Sequence, residues 1–241
     1  MKNGFRGFPA EGIAFLRDLK KNNDREWFTP RKAIFEEKVR QPMIELVAAV
    51  QAEMARFAPQ YIGSEPAKCV YRIYRDTRFS KDKTPYKTFA SALMLRKNFT
   101  KYDGCAGIYF AISPQEIEVA GGIYRPDPNT LLAVRQHIAA NTAAFRKTYE
   151  SKKVKRLLGE LKGESLSRVP KGFPPDHPAI DLLRRKEYLF DTQVDPKVAI
   201  TPKLVREIAS RIEAMTPFLE FLNQPLVKNQ AKKKREEQFL R

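Results

Sequence analysis

The sequence predicts an α+β fold, a largely antiparallel central sheet flanked by N-terminal and C-terminal helices. Apolar residues recur at helical spacing through the opening section up to Pro59. They alternate with period two in short runs between Pro66 and Tyr124, then return to helical spacing from Asn129. With 42% hydrophobic residues in 241, the chain can bury a substantial core. The expected organisation is one integrated domain over residues 1–222, followed by a basic helical extension or tail over 223–241.

The elements follow in order. Phe15, Leu16 and Leu19 give a first helix its apolar side, and Asn22 and Asn23 end it. Thr29 is expected to cap the next helix, with Pro30 in its first turn. Pro42 should divide or kink the helical run that follows, because an interior proline lacks a donor and clashes with the preceding turn. Trp27 reads as a core anchor, with ligand stacking as the alternative. Four strand candidates come next: "AKCVYRIYR", "KTFASALMLR", "CAGIYFAIS" and "EIEVAGGIY", the last two joined by the short turn "SPQE". Gly121 and Gly122 suggest a close turn or a close backbone approach. The stretch "LLAVRQHIAANTAAFRKTYE" is helical in pattern. A break at "RVPKGFPPDHP" precedes "AIDLLRRKEYLF", and Thr201-Pro202 opens a last helix.

The formal charge of +17 favours polyanions, acidic membranes or acidic substrates through its field, without choosing among them. The first residues lack the apolar core of a signal peptide, and no run approaches the roughly twenty apolar residues of a membrane span. The expected location is therefore cytoplasmic. Cys69 and Cys105 are too few for a disulfide scaffold and sit in apolar contexts, which suggests buried reduced thiols. His137 and His177 are the only histidines, and the paired spacing of a structural zinc site is absent, so no metal is expected. His177 suits a cap or a packed turn.

The most loaded stretch is "RIYRDTRFSKDKTPYK". Arg72, Arg75, Arg78, Lys81, Lys83 and Lys87 crowd there against Asp76 and Asp82. Arginine's planar fork suits two oxygens of a phosphate or carboxylate, and lysine adds a less directional charge. Asp76 and Asp82 could orient those cations or simply form local ion pairs. Phe79 is expected to anchor the loop in the core, whereas Tyr86 suits packing or a ligand equally. The loop lacks the glycines and the lysine-hydroxyl ending of a phosphate-binding glycine loop. Gly121, Gly122, Tyr124 and Arg125 form a second candidate group, which could contribute backbone donors and one cation to a shared cleft.

Several of these motifs together resemble a known family. "FLRDLKKNNDREWF", "YRIYRDTRFSKDKTPYKTF", "AGIYFAIS…VAGGIYRP" and "RVPKGFPPDHPAIDLLRRKEYLF", in that order, are similar to the domain of unknown function family numbered 2461. The resemblance runs from about Phe8 through Leu222 and includes Asn22, Asn23, Trp27, Phe28, Arg135, Pro170, Lys171, Gly172 and Phe173. It implies an intracellular α+β domain, chiefly bacterial with fungal relatives, and no established reaction or cofactor.

The functional expectation is a basic site that binds a phosphate-bearing small molecule or nucleic acid. The basic runs 152–156 and 232–235 favour nucleic acid, although no recognition-helix motif or single-strand-binding aromatic signature accompanies them. Two alternatives stand beside it. One is an enzyme acting on an anionic small molecule, with Arg75, Arg78 and Lys83 holding the anion and Asp76 or Asp82 moving a proton. The other is a module that docks an acidic protein surface. An enclosed pocket would favour a small molecule; an exposed basic surface would favour a polymer or a protein.

Overall fold

The computed structural model describes residues 4–239, with side chains through Ala231. Helix α1 (Ala10–Lys21) buries Ile13, Phe15, Leu16 and Leu19 along one side and ends at Asn22, whose N–H bonds the Asp18 carbonyl at 3.0 Å. Asp24 caps α2 (Arg25–Phe28), its carboxylate accepting from the Trp27 N–H at 2.8 Å. The capping expected of Thr29 therefore falls to Asp24. Thr29 lies in a 3-10 turn, and its hydroxyl donates back to the Arg25 carbonyl at 2.7 Å. Helix α3 (Lys32–Phe35) widens into a π turn over Glu36–Arg40 before α4 (Gln41–Met54), and Pro42 sits in the first turn of α4. The wide turn just upstream absorbs the missing donor and the ring that an ordinary helix could not accommodate.

The first strand candidate is not a strand. Pro66 starts a short helix, α5 (Pro66–Cys69), because its fixed φ suits a helical first turn. What remains of "VYRIYR" makes only isolated antiparallel bridges, Val70 with Ala92 and Tyr74 with Tyr86. The other three candidates are β1 (Ala90–Leu95), β2 (Gly107–Ile112) and β3 (Ile117–Ile123). Ser113 closes the β2–β3 hairpin, its N–H donating to the Glu116 carbonyl at 3.0 Å.

Helices α6 (Pro128–Ala140), α7 (Thr142–Lys147), α8 (Lys152–Leu158) and α9 (Ile180–Leu183) follow. The sheet is completed by β4 (Tyr188–Val194), in the part of the sequence read with the helical section. The four strands form one antiparallel sheet in the order β1-β2-β3-β4. With helices at both ends of the chain, the fold is α+β as the sequence predicts. Helix α10 (Lys203–Phe239) opens at Thr201, whose hydroxyl accepts from the Lys203 N–H at 3.3 Å. It passes residue 222 without a break, and Asn223 and Leu226 are buried. The side chains of the basic run 232–235 lie outside those described.

The chain divides into two compact units. One comprises the chain to Met94 with Tyr109–Val119 and Gln193–Arg211; the other comprises Leu95–Ile108, Ala120–Thr192 and the chain from Ile212. The first unit has an aromatic core in which the rings of Phe15, Phe28, Phe35 and Tyr86 pack edge-on, tilted or stacked. In the second, Phe145 contacts Tyr188, Phe218 and Phe221. Burying one such ring contributes roughly 1.5–3 kcal/mol. Among the described residues, no helix is long and apolar enough to cross a membrane.

Candidate functional site

The basic segment 72–87 is an irregular two-armed loop in the first unit. Its arms pair through the Arg75 N–H to the Pro85 carbonyl at 2.9 Å and the Lys87 N–H to the Ile73 carbonyl at 2.8 Å. The base of the loop is fixed by the core. Tyr86 is only 4% exposed and stacks on Phe28 with ring centres 4.1 Å apart, so its phenol has no place at a pocket edge. The Asn23 side chain then clamps the Tyr86 backbone. Its amide donates to the Tyr86 carbonyl at 2.9 Å and its oxygen accepts from the Tyr86 N–H at 3.0 Å.

Arg75 works inward. Its guanidinium donates to Asp82 at 2.6 Å, to the Thr84 carbonyl at 3.2 Å and to the Thr84 hydroxyl. Asp82 in turn accepts from the Thr84 N–H at 2.9 Å. That N–H first, and Arg75 with the Thr84 hydroxyl after it, hold the Asp82 carboxyl down at about 2. Higher on the loop, Arg78 forks onto Asp76, at 3.0 Å from Nε and 2.7 Å from Nη2. The hydrogen bonds from the Arg78 side chain and backbone hold Asp76 at about 2 as well. Carboxylates that acidic accept a proton poorly at neutral pH, which weighs against either as a general base.

The outer part of the loop is open. Lys83 donates to the Thr77 carbonyl at 3.0 Å and remains exposed. Arg72 and Lys81 are exposed, and neither makes a hydrogen bond or ion pair among the described residues. Lys87 is half-buried with its ammonium 4.7 Å from the centre of the Tyr71 ring; burial and then the charge of Arg72 lower its pKa. Phe79 overturns the expectation of a core anchor. It is 94% exposed, with the Arg78 guanidinium 5.6 Å from its ring centre. The aromatic position beneath the loop is already filled by Tyr86, which leaves Phe79 at the tip among polar residues.

The second candidate group belongs to the other unit. Gly121 and Gly122 lie inside β3, where they permit close packing rather than a turn. A side chain at Gly121 would overlap Met215 of α10, and one at Gly122 would overlap the Tyr188 carbonyl of β4. Gly122 also has φ of +142°, a conformation strained for other residues. Tyr124 is exposed, and Arg125 adopts φ of +46° with its N–H donating to Glu187 at 3.3 Å. Elsewhere in this unit, Arg135 is buried and donates to the Arg185 carbonyl at 2.8 Å. His137 packs on Phe221 and pairs with Gln224 at 2.9 Å. His177 Nδ1 accepts from the Ala179 N–H at 3.0 Å, in a packed turn. Cys69 and Cys105 are buried free thiols, and burial pushes Cys105 up to about 12. Among the described residues, no group of His, Cys, Asp and Glu could hold a metal ion.

Comparison with known families adds one result. The family described as conserved hypothetical protein (DUF2461) matches residues 11–221. The chain belongs to that family. The DUF2461 match takes in Asn23, the whole of the basic loop and the Gly121-Gly122 pair. No curated protein and no solved structure gives a significant match.

Two features of this site go unread in the sequence, one of them despite a local signal. The clamp from Asn23 reaches a partner 63 residues away, and no local pattern encodes it. The exposure of Phe79 had a signal in "SKDK", the run of four mostly exposed residue types that directly follows it.

Proposed function

We propose that the chain binds single-stranded nucleic acid through the loop 72–87, with Phe79 as a stacking surface. The observation that carries this reading is the 94% exposure of Phe79 at the tip of a loop rich in cations. Every base presents an aromatic face, so a solvent-facing ring flanked by Arg78, Lys81 and Lys83 suits a flexible strand whose phosphates pass beside it. The net charge of +17 adds a general attraction for a polyanion. The open form of the loop favours a polymer over an enclosed small anion, and the two acidified aspartates offer little to a proton-transfer reaction. Phosphate contacts would come first from Arg72 and Lys81. Arg78 and Lys83 remain exposed but already hold partners within the loop. Arg75 acts as a brace.

Fluorescence anisotropy with a labelled thymine oligonucleotide tests the reading. Binding should be saturable at moderate salt and weaken log-linearly as salt rises. A duplex of equal length should bind less well, because its bases are already stacked. Displacement by millimolar inorganic phosphate or a mononucleotide would favour a small-molecule site instead. Equal affinity for heparin, duplex and single strand would reduce the interaction to diffuse charge.

A further inference from the structure

Among the described residues, the three most exposed large apolar side chains share a feature. Phe79 at 94%, Tyr102 at 84% and Tyr124 at 65% are all aromatic, and each lies beneath a cation from an adjacent residue. Lys101 holds its ammonium 5.0 Å from the Tyr102 ring centre, and the Arg125 guanidinium is also 5.0 Å from that of Tyr124. Both tyrosines belong to the second unit, and the Phe79 loop belongs to the first. They also share one end of the sheet. Tyr102 lies in the connection that enters β2, Tyr124 directly follows β3, and antiparallel pairing sets the start of β2 beside the end of β3. A side chain at Gly104, two residues after Tyr102, would touch Thr130 and Asp127, three residues after Tyr124.

We infer that Tyr102 with Lys101 and Tyr124 with Arg125 form a second stacking platform for single-stranded nucleic acid. This rests on the proposed binding of such strands by the Phe79 loop and adds a second place where bases can stack. The chemistry is the same at each tyrosine: a cation lies over an exposed ring and supplies positive charge for a neighbouring phosphate. The acids of this corner are engaged with backbone and hydroxyl donors. Asp103 accepts from the Thr100 hydroxyl at 2.8 Å, Asp127 caps α6 through the Asn129 N–H at 2.9 Å, and Glu187 accepts from the Arg125 N–H at 3.3 Å. Arg125 stands out further, since its φ of +46° is a conformation that arginine adopts rarely and glycine readily.

Anisotropy on the full chain with labelled single strands of increasing length tests the platform. Both tyrosines are exposed, so the double variant Tyr102→Ala/Tyr124→Ala should keep the native melting temperature. It should bind long strands at least tenfold more weakly, because each of the two lost rings would stack a base worth roughly 5- to 150-fold. Tyr102→Phe/Tyr124→Phe should bind like the unaltered chain, because stacking needs the ring and not the hydroxyl. Arg125→Gly should lower the salt slope by about one without unfolding the corner. If the double alanine variant stays within twofold of the unaltered chain while Phe79→Ala weakens binding, the platform is overturned and the Phe79 loop stands. If Phe79→Ala is neutral and the double variant weakens binding, the platform stands and the loop reading falls. No saturable binding by the unaltered chain overturns both.

Discussion

Replacing Asn23 by alanine would test how the basic loop is held. The Asn23 side chain makes two hydrogen bonds to the Tyr86 backbone, at 2.9 and 3.0 Å, and Tyr86 itself is buried. Each such bond contributes roughly 0.5–1.5 kcal/mol net, so the pair is worth about 1–3 kcal/mol. That is a large part of the roughly 5–15 kcal/mol that keeps a domain folded. Urea unfolding should show a lower midpoint with an unchanged slope. Hydrogen exchange should show faster exchange at the Tyr86 amide and along the loop arms, with distant helices less affected. An unchanged midpoint together with unchanged Tyr86 protection would refute the clamp. Asn223 offers a more buried counterpart. It accepts from the Ala106 N–H at 2.8 Å and donates to the Ala106 carbonyl at 3.0 Å. Asn223→Ala leaves two buried backbone groups without those partners, at about 1–3 kcal/mol each, and should destabilise more than Asn23→Ala.

The pH response of the loop follows from Asp76 and Asp82, both held near 2. A depressed folded pKa gives stabilisation that is complete above the unfolded value of roughly 4 and fades as pH falls through about 2. Carboxyl carbon shifts followed by NMR should therefore stay constant from neutral pH down to about 4, and normal titration of both groups would contradict the pairing. Cys105, at about 12, should resist iodoacetamide in the native protein and react fully in urea, as read by mass; rapid native labelling would contradict its burial. Residues 1–222 are expected to unfold as one domain, since each of the four strands contributes residues to both compact units. Calorimetry should then give a single transition, and two separated transitions would argue against that expectation.

The legible parts of the sequence were those governed by local spacing. Phe15, Leu16 and Leu19 mark the buried side of α1, and "SPQE" marks the hairpin between β2 and β3. Strand β4 was obscured because Arg184, Arg185, Lys186 and Glu187 lead into it with helix-favouring charge. Its period-two signal was nevertheless present in Tyr188, Phe190 and Val194, which are all buried. The stretch after Cys69 misled in the opposite direction. Alternating β-formers there find only isolated bridge partners, and Pro66 had already set a helical turn. At the site, the clustering of charge was visible, but its division of labour was not. Arg75 and Arg78 look equivalent in sequence, yet one braces Thr84 and Asp82 while the other lies over an exposed ring. That difference depends on which arm of the loop each side chain faces, and a charge count carries no such information.

Whether Phe79 stacks a base of a single strand is decided by the affinity of a Phe79→Ala variant for a labelled thymine oligonucleotide at fixed moderate salt. Because Phe79 is 94% exposed, the variant should fold and melt like the unaltered chain. Its affinity should fall by roughly 5- to 150-fold, the equivalent of about 1–3 kcal/mol for one stacked base, and Phe79→Trp should retain binding. Equal affinity of the unaltered chain and the correctly folded alanine variant would rule out stacking on Phe79.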